Sequence, residues 1–297
     1  MKKTIAFIAV LASIITGFTA AGQTVKKDYN FKGFTGIELG DGFKATVTKA
    51  DAYAISVEIA DELAPYLDVR VSKDYLIIEV RNVPTKLSTL LKSGSMFATV
   101  SMPELRSVTL NEASKLTVEG GFDLGENNFA LAAAEASEVR QMEIHAKNAS
   151  LNLSGASRVR LNGDFVSVNI QSAGTSRLDL NASADDLVVK SAGTAVSEIE
   201  GSFDTVSIDM GGASNVTLKG EAEEMTVTAS NAGSIDALRM PVANAVVRLS
   251  GAGVCKTYVT ESLEVQCTGA STCSYKADGE IKLDLKEVAR TATLKKL

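Results

Sequence analysis

The strongest constraint on this chain is a small-residue turn that keeps returning. It reads NEAS at 111–114, AEAS at 134–137, SGAS at 154–157, AGTS at 173–176, AGTA at 192–195, GGAS at 211–214, NAGS at 231–234, SGAG at 250–253 and TGAS at 268–271. The last residues of successive turns lie 23, 20, 19, 19, 19, 20, 19 and 18 positions apart. A nearly fixed period of this length marks a stack of equivalent units.

Each unit carries the same internal pattern. After the turn, apolar and polar residues alternate, as at Val159 and Leu161, Leu178 and Leu180, and Val216 and Leu218. A glycine corner follows in several units, with phenylalanine two positions on: Gly120/Phe122, Gly163/Phe165 and Gly201/Phe203. A second alternating stretch leads to the next turn, as in VSVNI (166–170), VSIDM (206–210) and MTVTA (225–229). Alternation sends one set of side chains inward and the other to solvent. Two short strands cannot close a core alone, but units stacked at the sheet spacing of ~4.8 Å can. Small residues then occupy corners where identical positions sit on top of one another. The expected fold is all-β, a right-handed parallel β-helix or β-solenoid with coils of about 20 residues. The alternative is an antiparallel sandwich or prism, for which Asn162-Gly163 would supply a hairpin turn.

Residues 1–22 read as a separate object. Lys2 and Lys3 precede an uncharged apolar run that ends in Ala20, Ala21 and Gly22, the layout of a signal peptide. The expected domain is single, 23–297, and exported to the periplasm, the cell surface or the medium, with no membrane-spanning segment. Within it, 30–105 lacks the turn signature and is expected to cap the stack, with a hairpin at Gly40–Gly42 and another about Lys73-Asp74. Coils fill 106–285, and 286–297 forms a tail. The formal charge of −6 becomes −8 without Lys2 and Lys3. That balance repels phosphate backbones and argues against a nucleic-acid partner.

The run FKGFTGIELGDGFKATVTKADAYAISVEIADEL, then LDVRVSKDYLIIEV, then recurrent SGAS-type turns, resembles the putative auto-transporter adhesin, head GIN domain family. The resemblance spans roughly residues 30–285, and 34–80 is its most specific part. It implies an envelope or secreted bacterial protein with β-helical repeats, and it brings no catalytic residues.

Catalytic chemistry has little to stand on. The only histidine, His145, lies in QMEIHAKN, and no G-x-S-x-G elbow accompanies it. Asp185/Asp186 and Glu223/Glu224 are adjacent pairs, and neighbours on a strand point to opposite faces. No phosphate loop, cofactor motif or metal-ligand spacing is present, so the reading is no enzyme, no cofactor and no metal. Outward positions instead form polar ladders, with Arg158, Arg160, Asn169, Gln171, Arg177 and Asp179 as binding candidates. The partners they suit are a polysaccharide or an envelope or host-surface protein. A self-associating structural component, a homo-oligomer, is the alternative, and a polysaccharide-cleaving enzyme a third reading. Cys255 and Cys273 both take the slot of Val159, one coil apart, so they should stack inside as a disulfide or as a thiol pair. Cys267 falls on an apolar strand position and reads as a buried free thiol.

Overall fold

The computed structural model describes residues 23–91 and 94–297, so the segment read as a signal peptide lies outside the described residues. The chain is all-β and winds into a parallel β-solenoid of about ten turns. Each coil contributes one strand before the small-residue turn and one after it. The strands before the turn stack into an upstream face, and those after it into a downstream face. In the upstream face Asn148–Leu153 pairs in parallel with Phe129–Ala133 on one side and Ser167–Ser172 on the other. In the downstream face Arg158–Asp164 pairs in parallel with Glu138–Gln141 and with the first half of Arg177–Ser191. Parallel pairing of each coil with the next rules out the sandwich and the prism. Asn162-Gly163 lies inside a continuous strand and is not a hairpin turn.

Register explains the core. Leu131, Leu151, Ile170, Val189, Ile208, Val227, Val247 and Val265 are successive partners in one inward ladder. All eight are buried. Burial of a branched aliphatic side chain contributes about 1.5–3 kcal/mol, so each coil adds to one continuous core. Phe122, Phe165 and Phe203 are buried at the corner after the glycine.

The turn is equally regular. The last turn residues Ser114, Ser137, Ser157, Ser176, Ala195, Ser214 and Ser271 point into the core. The second residue is left-handed, with φ of 71° at Gly174 and 72° at Gly193. Turn-to-turn hydrogen bonds then run along the axis, such as Thr175 N–H to the Gly155 carbonyl (2.7 Å) and Thr194 N–H to that of Gly174 (2.8 Å). A Cβ on Gly174 would lie 2.7 Å from the Gly155 carbonyl oxygen, so both φ and stacking demand glycine. Asn231, at φ 64°, takes the same place, and its register (Ser234 opposite Asn215) shifts the turn expected at 231–234 to 230–233. Asparagine is the non-glycine residue that best tolerates this conformation.

The amino-terminal part combines coils with a cap. Gly36–Leu39 and Lys44–Lys49 do not pair with each other, so Gly40–Gly42 is not a hairpin. Gly36–Leu39 lies between Tyr75–Val80 and Ser107–Leu110, and Lys44–Lys49 between Phe97–Met102 and Lys115–Glu119, all in parallel. Residues 40–43 are therefore the first coil corner, with Asp41 left-handed at 56° and Phe43 buried where Ser114 stands one coil on. The reason is local. The Phe43 N–H bonds the Gly40 carbonyl (3.2 Å) as the Ser114 N–H bonds that of Asn111 (3.1 Å). The Lys73-Asp74 turn does join two antiparallel strands, Leu67–Ser72 and Tyr75–Val80. Ala54–Ala60 runs antiparallel beside Phe97–Met102, and Thr24–Tyr29 lies antiparallel beyond it. With buried Leu63 from the 3-10 turn Asp61–Tyr66, these strands close that end of the stack.

Candidate functional site

Outward positions directly after the turn align along the downstream face. Lys44 is opposite Lys115, Lys115 opposite Glu138, Glu138 opposite Arg158, and Arg158 opposite Arg177. Two residues further along the strand, Arg160 is opposite Asp179 and Asp179 opposite Glu198. An open groove of about 680 Å³ follows these rows, lined by Glu138, Arg140, Arg158, Arg160, Arg177 and Asp179 with Val139 and Val159. Towards the capped end a smaller groove of about 230 Å³ continues past Arg140 and Lys115 to Lys44 and Phe97. The Lys44 ammonium sits 5.3 Å from the centre of the exposed Phe97 ring.

Most cations in the strip are partly neutralised. Arg160 Nε meets Asp179 Oδ2 at 3.1 Å, Arg177 Nη2 meets Glu198 Oε1 at 2.6 Å, and Lys115 Nζ meets Glu138 Oε2 at 2.8 Å. The Lys115 hydrogen bond holds the Glu138 carboxyl below its usual range. Arg140 reaches the same carboxylate only at 3.6 Å. The Arg158 side chain has no ion pair or hydrogen bond among the described residues, although Arg177 is its direct register partner.

The six binding candidates do not form one site. Arg158, Arg160, Arg177 and Asp179 share the downstream groove. Asn169 and Gln171 project from Ser167–Ser172 on the opposite, upstream face. There Asn152, Gln171, Lys190 and Asp209 are successive partners beside a floor of small turn residues, in a groove of about 630 Å³. Sequence reasoning missed Lys115, Glu138 and Arg140. The signal was available, because Lys115 and Glu138 follow the last residues of the NEAS and AEAS turns just as Arg158 follows that of SGAS.

Among the described residues the structure gathers no catalytic cluster that the sequence overlooked. Both ring nitrogens of His145 face carboxylates, Nδ1 to Asp164 at 2.9 Å and Nε2 to Glu143 at 3.3 Å. Asp186 and Glu224 are two coils apart with Thr205 between them. Asp179 and Glu198 do stack on adjacent coils, but each is ion-paired to an arginine on an open face that does not exclude water. Among the described residues no group of three or more His, Cys, Asp or Glu is placed to hold a metal ion, and no helix is long and apolar enough to cross a membrane.

The cysteines lie inside. Cys255 is the register partner of Cys273. All three are buried and unbonded. Burial pushes the Cys255 thiol up to about 12, and the neighbouring Cys267 thiol, then burial, raises Cys273.

A family profile described as "putative auto-transporter adhesin, head GIN domain" matches residues 33–195 and 179–279. The chain belongs to this family. Solved structures similar to this head GIN protein include a putative adhesin from Parabacteroides merdae, 15% identical, covering 93% of this chain and 97% of that one with a TM-score of 0.46. A putative adhesin from Parabacteroides distasonis is 15% identical, with 93% and 98% covered and a TM-score of 0.49. A putative lipid binding protein from Parabacteroides distasonis is 16% identical, with 93% and 98% covered and a TM-score of 0.48. No curated protein matches the chain.

Proposed function

We propose that this head GIN protein is a non-catalytic, adhesin-like binding protein, exported to the cell envelope or beyond, that engages a glycan or protein along the outer surface of its solenoid. The observation that carries this reading is the coil-to-coil alignment of outward polar side chains into axial rows on the downstream face. Such rows offer many equivalent weak contacts to an extended ligand, and multivalency turns weak contacts into useful affinity. The adhesin description of the family and the signal-peptide layout of residues 1–22 support the same reading. A glycan array and a surface-protein pull-down with the purified protein test it. Saturable binding to either, with no release of new reducing ends from the glycan, is the expected result. Cleavage of the glycan, or no binding to any surface, would overturn it.

A second reading has its own observation. The strand Lys282–Val288 carries exposed Leu283, Leu285 and Val288, an arrangement suited to self-association of envelope subunits. A defined oligomer by light scattering that binds no surface would favour it.

A further inference from the structure

We infer that the downstream strip is a binding site for an acidic polysaccharide, one that carries carboxylates at regular intervals, with Arg158 and Arg177 at its centre. This inference rests on the proposed binding function and names its ligand class.

Two like charges meet at the centre of the strip. Arg158 and Arg177 are direct partners on adjacent parallel strands, ~4.8 Å apart in backbone spacing. Like charges in that relation oppose each other. Arg177 is relieved by Glu198, but Arg158 has no carboxylate of its own, because Glu138 on its other side is bound by Lys115 at 2.8 Å. In a chain with formal charge −6, six cations gather along one strip: Lys44, Lys115, Arg140, Arg158, Arg160 and Arg177. A guanidinium offers paired N–H donors that fit a carboxylate side by side, and Arg158 is the one whose donors are free.

Geometry then selects among polyanions. The rows run along the solenoid axis and repeat once per coil, a rise close to the length of one pyranose unit, so a sugar chain can lie along them in step. The groove is about 680 Å³ in volume and is lined by residues of successive coils, which suits a polymer running along the axis. An acidic protein segment would be anchored by a buried apolar centre, and the strip's one exposed ring is Phe97 at its far end. Single-stranded nucleic acid needs a series of aromatic platforms for its bases, and the strip has none. The net negative charge of the whole chain works against a long duplex.

The test measures affinity of the purified protein for polygalacturonate, with dextran as neutral control and a DNA duplex as the alternative polyanion. Polygalacturonate should bind and dextran should not. Binding should weaken severalfold as salt rises from about 0.05 to about 0.2 M. Arg158→Gln with Arg177→Gln should lower affinity at least tenfold. Arg158→Lys with Arg177→Lys should lose only part of it, because the charge stays while the paired donors go. Gln171→Ala with Lys190→Gln, on the opposite face, should leave it unchanged. Unchanged affinity in the double glutamine variant would overturn the site, and equal affinity for the duplex would overturn the ligand class. Binding of dextran or of a surface protein, but not polygalacturonate, would sink this inference and leave the proposed function standing. Binding to nothing would remove both.

Discussion

The first corner of the solenoid and the later ones perform the same task with different residues. At 154–157 and its successors the turn is built from small residues, and glycine, or asparagine at 231, holds the left-handed position against the backbone of the coil below. At 40–43 aspartate takes the left-handed position and phenylalanine the inward one. The difference lies in what stacks on each. Later corners lie between nearly identical copies and leave room for little more than hydrogen or hydroxyl. The first corner stands near the capped end, where Asp41 accepts a hydrogen bond from the Val80 N–H (2.9 Å) and Phe43 fills volume that a serine would leave empty. A repeat sequence is thus a consequence of being stacked on copies, and it relaxes where the neighbour is different.

Exchanging residues between the two kinds of corner should break each. The largest effect is expected from Phe43→Ser, which installs the later residue in the first corner and empties an aromatic site. A loss of about 4 kcal/mol is expected in denaturant unfolding. A loss below about 1 kcal/mol would mean that the first corner packs like the others. Next comes Gly201→Ala at the glycine corner of its coil, where the new Cβ would fall 1.7 Å from the Ala182 carbonyl oxygen. The backbone must move, at about 3 kcal/mol.

Asp41 sharpens the comparison through pH. Burial first, and then repulsion from Glu112, raises its carboxyl from 3.8 to about 6, although the Val80 N–H acts against this. A carboxyl raised on folding favours the folded state while protonated, and that advantage is lost as pH rises through about 6. Asp41→Asn keeps the left-handed preference and an acceptor for Val80 without the charge. The variant should therefore be more stable than the parent near pH 7, by about 1 kcal/mol once partial exposure is allowed for. The two should converge below about pH 4. A variant less stable than the parent at pH 7 would contradict the sign.

The smallest expected effect lies inside the regular stack. Ser197 sits in the inward ladder between Leu178 and Val216, and its hydroxyl has no hydrogen-bond partner. Ser197→Ala should stabilise by about 1 kcal/mol in thermal unfolding. Destabilisation would point to a partner for that hydroxyl.

How far the sequence reveals the molecule follows from the same contrast. The coils were legible because stacking forces equivalent residues to equivalent places, and Cys255 and Cys273 could be placed in the slot of Val159 for that reason. The turn at Asn231 was misread by one residue because asparagine replaces the marking glycine. The first corner was illegible because its neighbours do not constrain it to small residues. In the candidate strip, Arg158, Arg160 and Arg177 could be found from outward alternation. Asn169 and Gln171 alternate in the same way but belong to the opposite sheet, and alternation alone does not distinguish two outward faces. Lys115, Glu138 and Arg140 hold the same places after the NEAS and AEAS turns as Arg158 and Arg160 hold after SGAS, and they were missed because those turns carry glutamate in place of the marking glycine.

The central claim is that ligand lies along the downstream face. Arginine footprinting with phenylglyoxal, in the presence and absence of polygalacturonate, tests it most directly. Bound polysaccharide should protect Arg158, Arg160 and Arg177 while Arg248, projecting from the upstream face and paired with Glu264 at 2.9 Å, reacts at an unchanged rate. Equal protection of Arg248, or none at Arg158 despite saturated binding, would contradict the account.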